Sequence, residues 1–196
     1  MNKHIGLFFG SFNPVHIGHL IIANHMANET DLDQVWMVVS PQNPFKDKKS
    51  LAKDRDRYNL VHLAIGDNPK LSVSDIEFSM PKPSYTIDTL TYLKEKYPNK
   101  IFYLIMGGDN VPTLPKWKNS EFLIENYKIY VYKRPGYDLG PLASHPNITS
   151  VEAPLLDISS THIRQLIKER KSIQYLVPDA ARLEIERSSI YSDLQI

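Results

Sequence analysis

Apolar runs of strand length alternate with stretches of helical period along this chain. That alternation restricts the fold more than any other feature. The strand-like runs are Ile5–Phe9, Val35–Val39, Leu71–Ser74, Ile101–Met106 and Lys128–Tyr132, with Ile148–Glu152 a candidate sixth. Between them, Ile17, Leu20, Ile21 and Met26 or Ala27 mark one helix. Tyr58, Val61, Leu63 or Ala64 and Ile65 mark a second, and Ile87, Leu90, Leu93 and Tyr97 a third, which Pro98 closes. Shorter helices are expected near Ser120–Asn126, Ser160–Glu169 and Asp179–Ser188. Such a succession specifies an α/β fold, a parallel sheet with helices on both faces. Val35-Trp-Met-Val-Val39 is apolar on both sides, as a strand covered on both faces must be.

The long loops are Pro41–Lys53, Ser79–Ser84, Gly107–Asn119 and Arg134–Pro146. Three of them follow strands two, four and five. Those are carboxyl ends of a parallel sheet, where ligands bind. With strand order 3-2-1-4-5, strands one and four are neighbours at the switch point, and Gly10–His16 faces Gly107-Gly-Asp-Asn110.

Composition excludes several classes. The 23 Lys and Arg against 22 Asp and Glu leave a formal charge of +1, without the basic excess that nucleic-acid binding needs. No cysteine is present, so disulfides, thiolate metal sites and thiol nucleophiles are excluded, and a cytoplasmic setting is expected. No apolar run approaches the roughly 20 residues of a membrane span. The first strand begins almost at once, so no signal peptide is expected. At 196 residues the chain is expected to form a single domain, 1–196.

The segment Gly10-Ser-Phe-Asn-Pro-Val-His-Ile-Gly-His19 carries the chemistry. It joins a buried strand to a helix N-terminus, whose unpaired amides and dipole favour phosphate. His16 and His19, three apart, share one face of that helix. Two histidines so spaced can also share a metal ion, but the segment holds no carboxylate to complete a ligand set. A second anion site is expected at Ile158-Ser-Ser-Thr-His-Ile-Arg164. There Ser159 or Ser160 caps a helix, and Arg164 stands one turn in.

The first segment resembles the signature of the nucleotidyltransferase superfamily, Gly-x-Phe-x-Pro-x-His-x-Gly-His, at Gly10, Phe12, Pro14, His16, Gly18 and His19. Asn13 stands where bacterial members often carry Asp. The second is similar to that superfamily's Ser-(Ser/Thr)-Thr-x-(Ile/Val)-Arg element. Pro83-Ser-Tyr-Thr-Ile-Asp-Thr89, Met106-Gly-Gly-Asp-Asn110 followed by Trp117, and Lys133-Arg-Pro-Gly136 narrow the resemblance to nicotinate-nucleotide adenylyltransferases. The matches run over nearly the whole chain in the right order.

This resemblance implies a Rossmann-like doubly wound parallel sheet with a C-terminal helical portion at about 159–196. It implies adenylyl transfer from ATP to nicotinate mononucleotide, with His16, His19 and Arg164 as catalytic groups. ATP would contact Gly10, Ser11, Phe12, His16, Gly18, His19, Gly107, Asp109, Ser159, Ser160, Thr161 and Arg164. The acceptor would contact Lys46, Ser84, Tyr85, Thr86, Trp117 and Arg134. Asp109 suits ribose hydroxyls and Trp117 suits stacking on a pyridine ring. Mg2+ would arrive on the ATP phosphates, without a protein cage. Trp36 is expected in the core. His4, His25, His62, His145 and His162 fit no constellation. A nicotinamide-mononucleotide or phosphopantetheine acceptor, a nucleotide-binding sensor without catalysis, and a homo-oligomer all remain open from sequence.

Overall fold

The computed structural model describes residues 2–41, 51–188 and 190–191. Six strands form one sheet: β1 (Lys3–Gly10), β2 (Gln34–Val39), β3 (Leu71–Ser74), β4 (Lys100–Gly107), β5 (Ile129–Tyr132) and β6 (Ile148–Val151). All pairs are parallel and the order is β3-β2-β1-β4-β5-β6. The expected order 3-2-1-4-5 is therefore present, and Ile148–Val151 extends it by one strand at the edge. The helices are α1 (Ile17–Glu29), α2 (Asp54–Ile65), α3 (Thr86–Lys96), α4 (Ser120–Asn126), α5 (Ser160–Lys168) and α6 (Asp179–Ser188).

Side chains of β1 divide between two cores, because successive residues of a strand point to opposite faces. Ile5 and Leu7 join the layer under α3 and α4, with Leu90, Leu93, Leu104 and Leu123. Phe8 joins the layer under α1, α2, α5 and α6, with Ala23, Met26, Leu60, Ile163 and Ile185. Trp36, expected in the core, is half-buried. Its ring meets Tyr97 and Phe102 edge-on, and its indole N–H donates to Gln34 Oε1 at 2.7 Å. Among the described residues no helix is long and apolar enough to cross a membrane.

Two stretches that read as loop contain 3-10 helices, Gly108–Lys116 and Gly140–Ser144, and a third 3-10 helix, Ile76–Ser79, lies just before the expected Ser79–Ser84 loop. Pro112 and Pro115 lie inside Gly108–Lys116. Proline lacks the amide an α-helix needs at each turn, so the segment carries no α-helical period to be read.

The carboxyl ends of β1 and β2 are held by one arginine. Arg57 of α2 is fully buried at 0 % exposure. Its guanidinium donates to the carbonyl oxygens of Ser11 and Ser40, just beyond the two strands, and to that of Ala52 at 3.0 Å. Asp54 supplies the compensating charge at 2.8 Å and is itself shared with Lys82 at 3.0 Å. Burial pulls the Arg57 pKa down and the Asp54 carboxylate opposes that shift. Replacing Arg57 by leucine orphans three carbonyls at once. Arg57→Leu is expected to lower the unfolding free energy by at least ~3 kcal/mol. Urea denaturation of both proteins measures the loss, and a loss under ~1 kcal/mol would count against this role of Arg57.

Candidate active site

The β1–α1 connection is shaped by ring packing. Phe12 adopts a left-handed backbone, φ 44°, and its buried ring packs edge-on against Phe8 and His19. A Cβ on Gly10 would lie 2.8 Å from the Phe12 ring, so only glycine lets the turn fold back on itself. The Asn13–Pro14 bond is cis. Asn13 Oδ1 accepts the Ala52 amide at 3.0 Å, which ties this turn to the chain entering α2.

His16 is the N-cap of α1 and His19 its third residue. The His16 amide donates to His19 Nδ1 at 3.2 Å, so a neutral His19 ring carries its proton on Nε2. The two imidazoles stack with centroids 3.6 Å apart. Two positive charges at that distance repel, and burial disfavours charge on His16 in any case. Its pKa falls from 6.5 to about 4, chiefly through desolvation and then through the Arg134 charge. Gly18 lies beneath the His16 ring, where a Cβ would stand 3.1 Å from Nδ1.

α5 closes over this turn. Ser159 is its N-cap and accepts the His162 amide at 3.2 Å. Ser160 Oγ donates to the Pro14 carbonyl at 2.9 Å. One Arg164 amino group donates to the Asn13 carbonyl at 2.8 Å, and the other reaches Thr161 Oγ1 at 3.4 Å. Arg164 is 9 % exposed, and its Nε has no hydrogen-bond partner among the described residues. Tyr191, buried near the end of the described chain, lies close enough to feel both the Arg57 and the Arg164 charge.

Two cavities open at the carboxyl edge of the sheet. The larger, about 1150 Å³, is lined by Gly10, Ser11, Phe12, His16, Gly18, His19, Asp109, Ser159, Ser160, Thr161 and Arg164. Eleven of the twelve positions expected around ATP therefore come together there. Gly107, the twelfth, ends β4 behind Asp109. The smaller, about 190 Å³, is lined by Ser84, Tyr85, Thr86 and Trp117 from the expected acceptor set. Phe9, Gly10, Ser11 and Asn110 belong to both walls. The expected confrontation of the first loop with Gly107–Asn110 is thus present.

Arg134, expected with the acceptor, stands in the larger cavity and pairs with Asp109, Nε to Oδ1 at 3.1 Å. It follows β5, which lies beyond β4 and away from β2. Lys46 lies outside the described residues. Sequence reasoning missed Glu77, Ser40 and Lys118 in the smaller wall, and Tyr132 and residues 155–157 in the larger, and it read Asn13 and Asn110 as motif positions without a contact of their own. Leu155 and Leu156 are exposed apolar residues just before the Ser159 cap, a signal that a search for charged motifs passes over.

Residues 7–166 match the family model described as cytidylyltransferase-like. A protein of Cytophaga hutchinsonii named probable nicotinate-nucleotide adenylyltransferase is 55 % identical over 96 % of this chain and 98 % of its own. A protein of the same name from Bacillus licheniformis is 35 % identical, with the same coverage of both chains. Among solved structures, Plasmodium falciparum nicotinic acid mononucleotide adenylyltransferase complexed with NaAD superposes with a TM-score of 0.82 over 98 % of each chain at 23 % identity, a likeness of fold.

The depressed His16 pKa makes stability depend on acid. The unfolded chain takes up the proton near pH 6.5 and the folded chain only near pH 4. The contribution of neutral His16 is complete above pH 6.5 and is lost as pH falls toward 4. His16→Gln is expected to flatten the decline of unfolding free energy across that window. Denaturant melts of both proteins at several pH values check it, and parallel curves would count against a buried neutral His16.

Proposed function

We propose, from the premise that this chain belongs to the cytidylyltransferase-like family and within it to the nicotinate-nucleotide adenylyltransferases, that it transfers the adenylyl group of ATP to nicotinate mononucleotide, yielding deamido-NAD and pyrophosphate. The observation that carries this reading is the shared wall of the two cavities at Phe9, Gly10, Ser11 and Asn110. A nucleotide in the larger cavity and a pyridine mononucleotide in the smaller meet over the β1–α1 turn. That is where an acceptor phosphate must approach the α-phosphorus of ATP.

The acceptor phosphate is ionised at neutral pH, so the reaction needs no general base. Pyrophosphate leaves without needing a proton. Catalysis then rests on positioning and on stabilising charge. In this reading His16 contacts the α-phosphate as a neutral donor, in keeping with its low pKa. His19 stabilises charge nearer the β-phosphate, with its proton on the nitrogen turned away from the His16 amide. Ser159, Ser160, Thr161 and Arg164, which line the larger cavity together, hold the β- and γ-phosphates. Gly10, Ser11, Phe12 and Gly18 bring backbone close to the phosphates. Asp109 takes the ribose, and Arg134 is assigned with it to the nucleotide side.

Ser84, Tyr85, Thr86 and Trp117 surround the acceptor ring, with the N-terminus of α3 toward its carboxylate. Among the described residues no group of three or more His, Asp or Glu side chains is placed to hold a metal ion. Mg2+ is read as part of the ATP substrate, carried on its phosphates.

Removing one preorganised donor from a phosphate site typically costs about 10²-fold in turnover. His19→Ala is expected to lower kcat by roughly that factor or more while leaving the melting curve close to that of the parent. Turnover within a few-fold of the parent would remove His19 from the mechanism. A pyrophosphate-release assay with nicotinate and nicotinamide mononucleotides tests the acceptor assignment. The acid is expected to be preferred in kcat/KM by at least ~10²-fold, roughly 2.7 kcal/mol. Trp117→Ala is expected to raise KM for both acceptors alike, because stacking does not sense the substituent's charge. Equal use of the two mononucleotides would refute acid selectivity and leave adenylyl transfer standing.

A further inference from the structure

The first turn of α3 carries a charge that works against an anionic acceptor. Thr86 and Ile87, its first two residues, line the smaller cavity, and Asp88, its third, puts a carboxylate in the same turn. A carboxylate there stabilises the helix by meeting the positive end of its dipole. The same charge repels an anion bound at that end. An acceptor with a ring carboxylate meets that repulsion, and its neutral amide analogue does not.

Lys118 answers the charge. It follows Trp117 directly, in the segment after β4, and it lines the smaller cavity. Its Nζ donates to both oxygens of Asp88, at 3.0 and 2.8 Å. The same ammonium lies 4.9 Å from the centre of the ring of Tyr85, the N-cap of α3. Two contacts on one helix start therefore fix where this cation stands. The side chains of Lys118 and Asp88 are 45 % and 42 % exposed, so the pair adds little to stability. The other lysine of that wall is Lys116, and its one carboxyl residue is Glu77, which is buried.

We propose that Lys118 is a positioning residue for acceptor selectivity: by neutralising Asp88 it keeps the N-terminus of α3 attractive to a ring carboxylate, and so favours the acid over the amide. The inference rests on the reading of the smaller cavity as the acceptor site. It gives acid selectivity a cause outside α3 itself, in a side chain that acts through Asp88.

Methionine in place of lysine removes the charge and keeps most of the length, and asparagine in place of Asp88 removes what the charge opposes. Dissociation constants for nicotinate mononucleotide, nicotinamide mononucleotide and ATP would be measured by calorimetry on the parent protein, Lys118→Met, Asp88→Asn and the double variant. An ionic strength of about 0.01 M leaves such charges weakly screened. Lys118→Met is expected to lower the acid-to-amide affinity ratio at least ~3-fold by weakening the acid, with ATP affinity unchanged. Asp88→Asn alone is expected to hold or raise the ratio, and the double variant to return it to within about 2-fold of the parent.

Loss of the link between Trp117 and α3 as a purely structural defect would weaken both mononucleotides together. That result leaves the ratio in place and overturns the proposal, as does a double variant that fails to recover. At about 1 M salt, where charges are screened within about 3 Å, the ratios of the parent and Lys118→Met are expected to converge. A gap as wide as at low salt overturns the electrostatic account. If the parent protein releases no pyrophosphate from ATP with either mononucleotide, the functional reading fails and takes this inference with it. If it turns over the acid selectively and Lys118→Met stays as selective, only the role of Lys118 fails.

Discussion

Two backbone carbonyls hold the candidate site together. Asn13 and Pro14, in the turn after β1, present their oxygens to Arg164 and Ser160 of α5, about 150 positions further along the chain. Neither bond exists unless the sheet has already placed α5 beside the β1–α1 turn. Once made, they align two helix N-termini on one cavity: α1, with His16 and His19, and α5, with Ser159 to Thr161. Backbone donors on rigid elements make a better phosphate site than flexible side chains, because little ordering entropy remains to be lost when the ligand binds.

Arg57 does similar work one layer away. By holding the carbonyls of Ser11 and Ser40 it fixes the ends of β1 and β2 at the level where the two cavities meet. Arg57 touches the site through these carbonyls, so its effect on function runs through position. The sheet order does the rest. The chain winds outward from β1 through β2 to β3, then crosses back to β4 and continues to β6. The loops on either side of β1 and β4 therefore part, and the crevice between them becomes the binding site.

Much of this was legible along the chain. The run at Val35–Val39 is visible because a strand covered on both faces is continuously apolar, and Leu71-Ser-Val-Ser74, at the sheet edge, shows in its alternation of apolar and polar residues. The helix starting at Thr86 was visible from the spacing of Ile87, Leu90 and Leu93. What escaped were features without a period or a motif. The 3-10 helix Gly108–Lys116 has two prolines and no α-helical repeat. Glu77 stands between Ile76 and Phe78 and looks like an ordinary surface acid, yet it is enclosed. The resemblance groups Arg134 with the acceptor, whereas the structure sets it in the larger cavity, beyond β4 and paired with Asp109.

The sequence by itself determined the alternation of strands and helices, the two glycine- and serine-marked helix starts, and the residue types that bind phosphate. These are local properties, set by hydrophobic period, by capping and by the steric freedom of a few glycines. Only the tertiary structure decided which of those residues meet. It seated Arg164 on the carbonyl of Asn13, closed Arg57 off from water, stacked His16 against His19 with burial holding His16 neutral, and placed Glu77 beneath the smaller cavity. Each of these depends on the neighbours that surround a group in three dimensions. Charge state, burial and hydrogen-bond partner are properties of that surrounding, and no stretch of chain carries them alone.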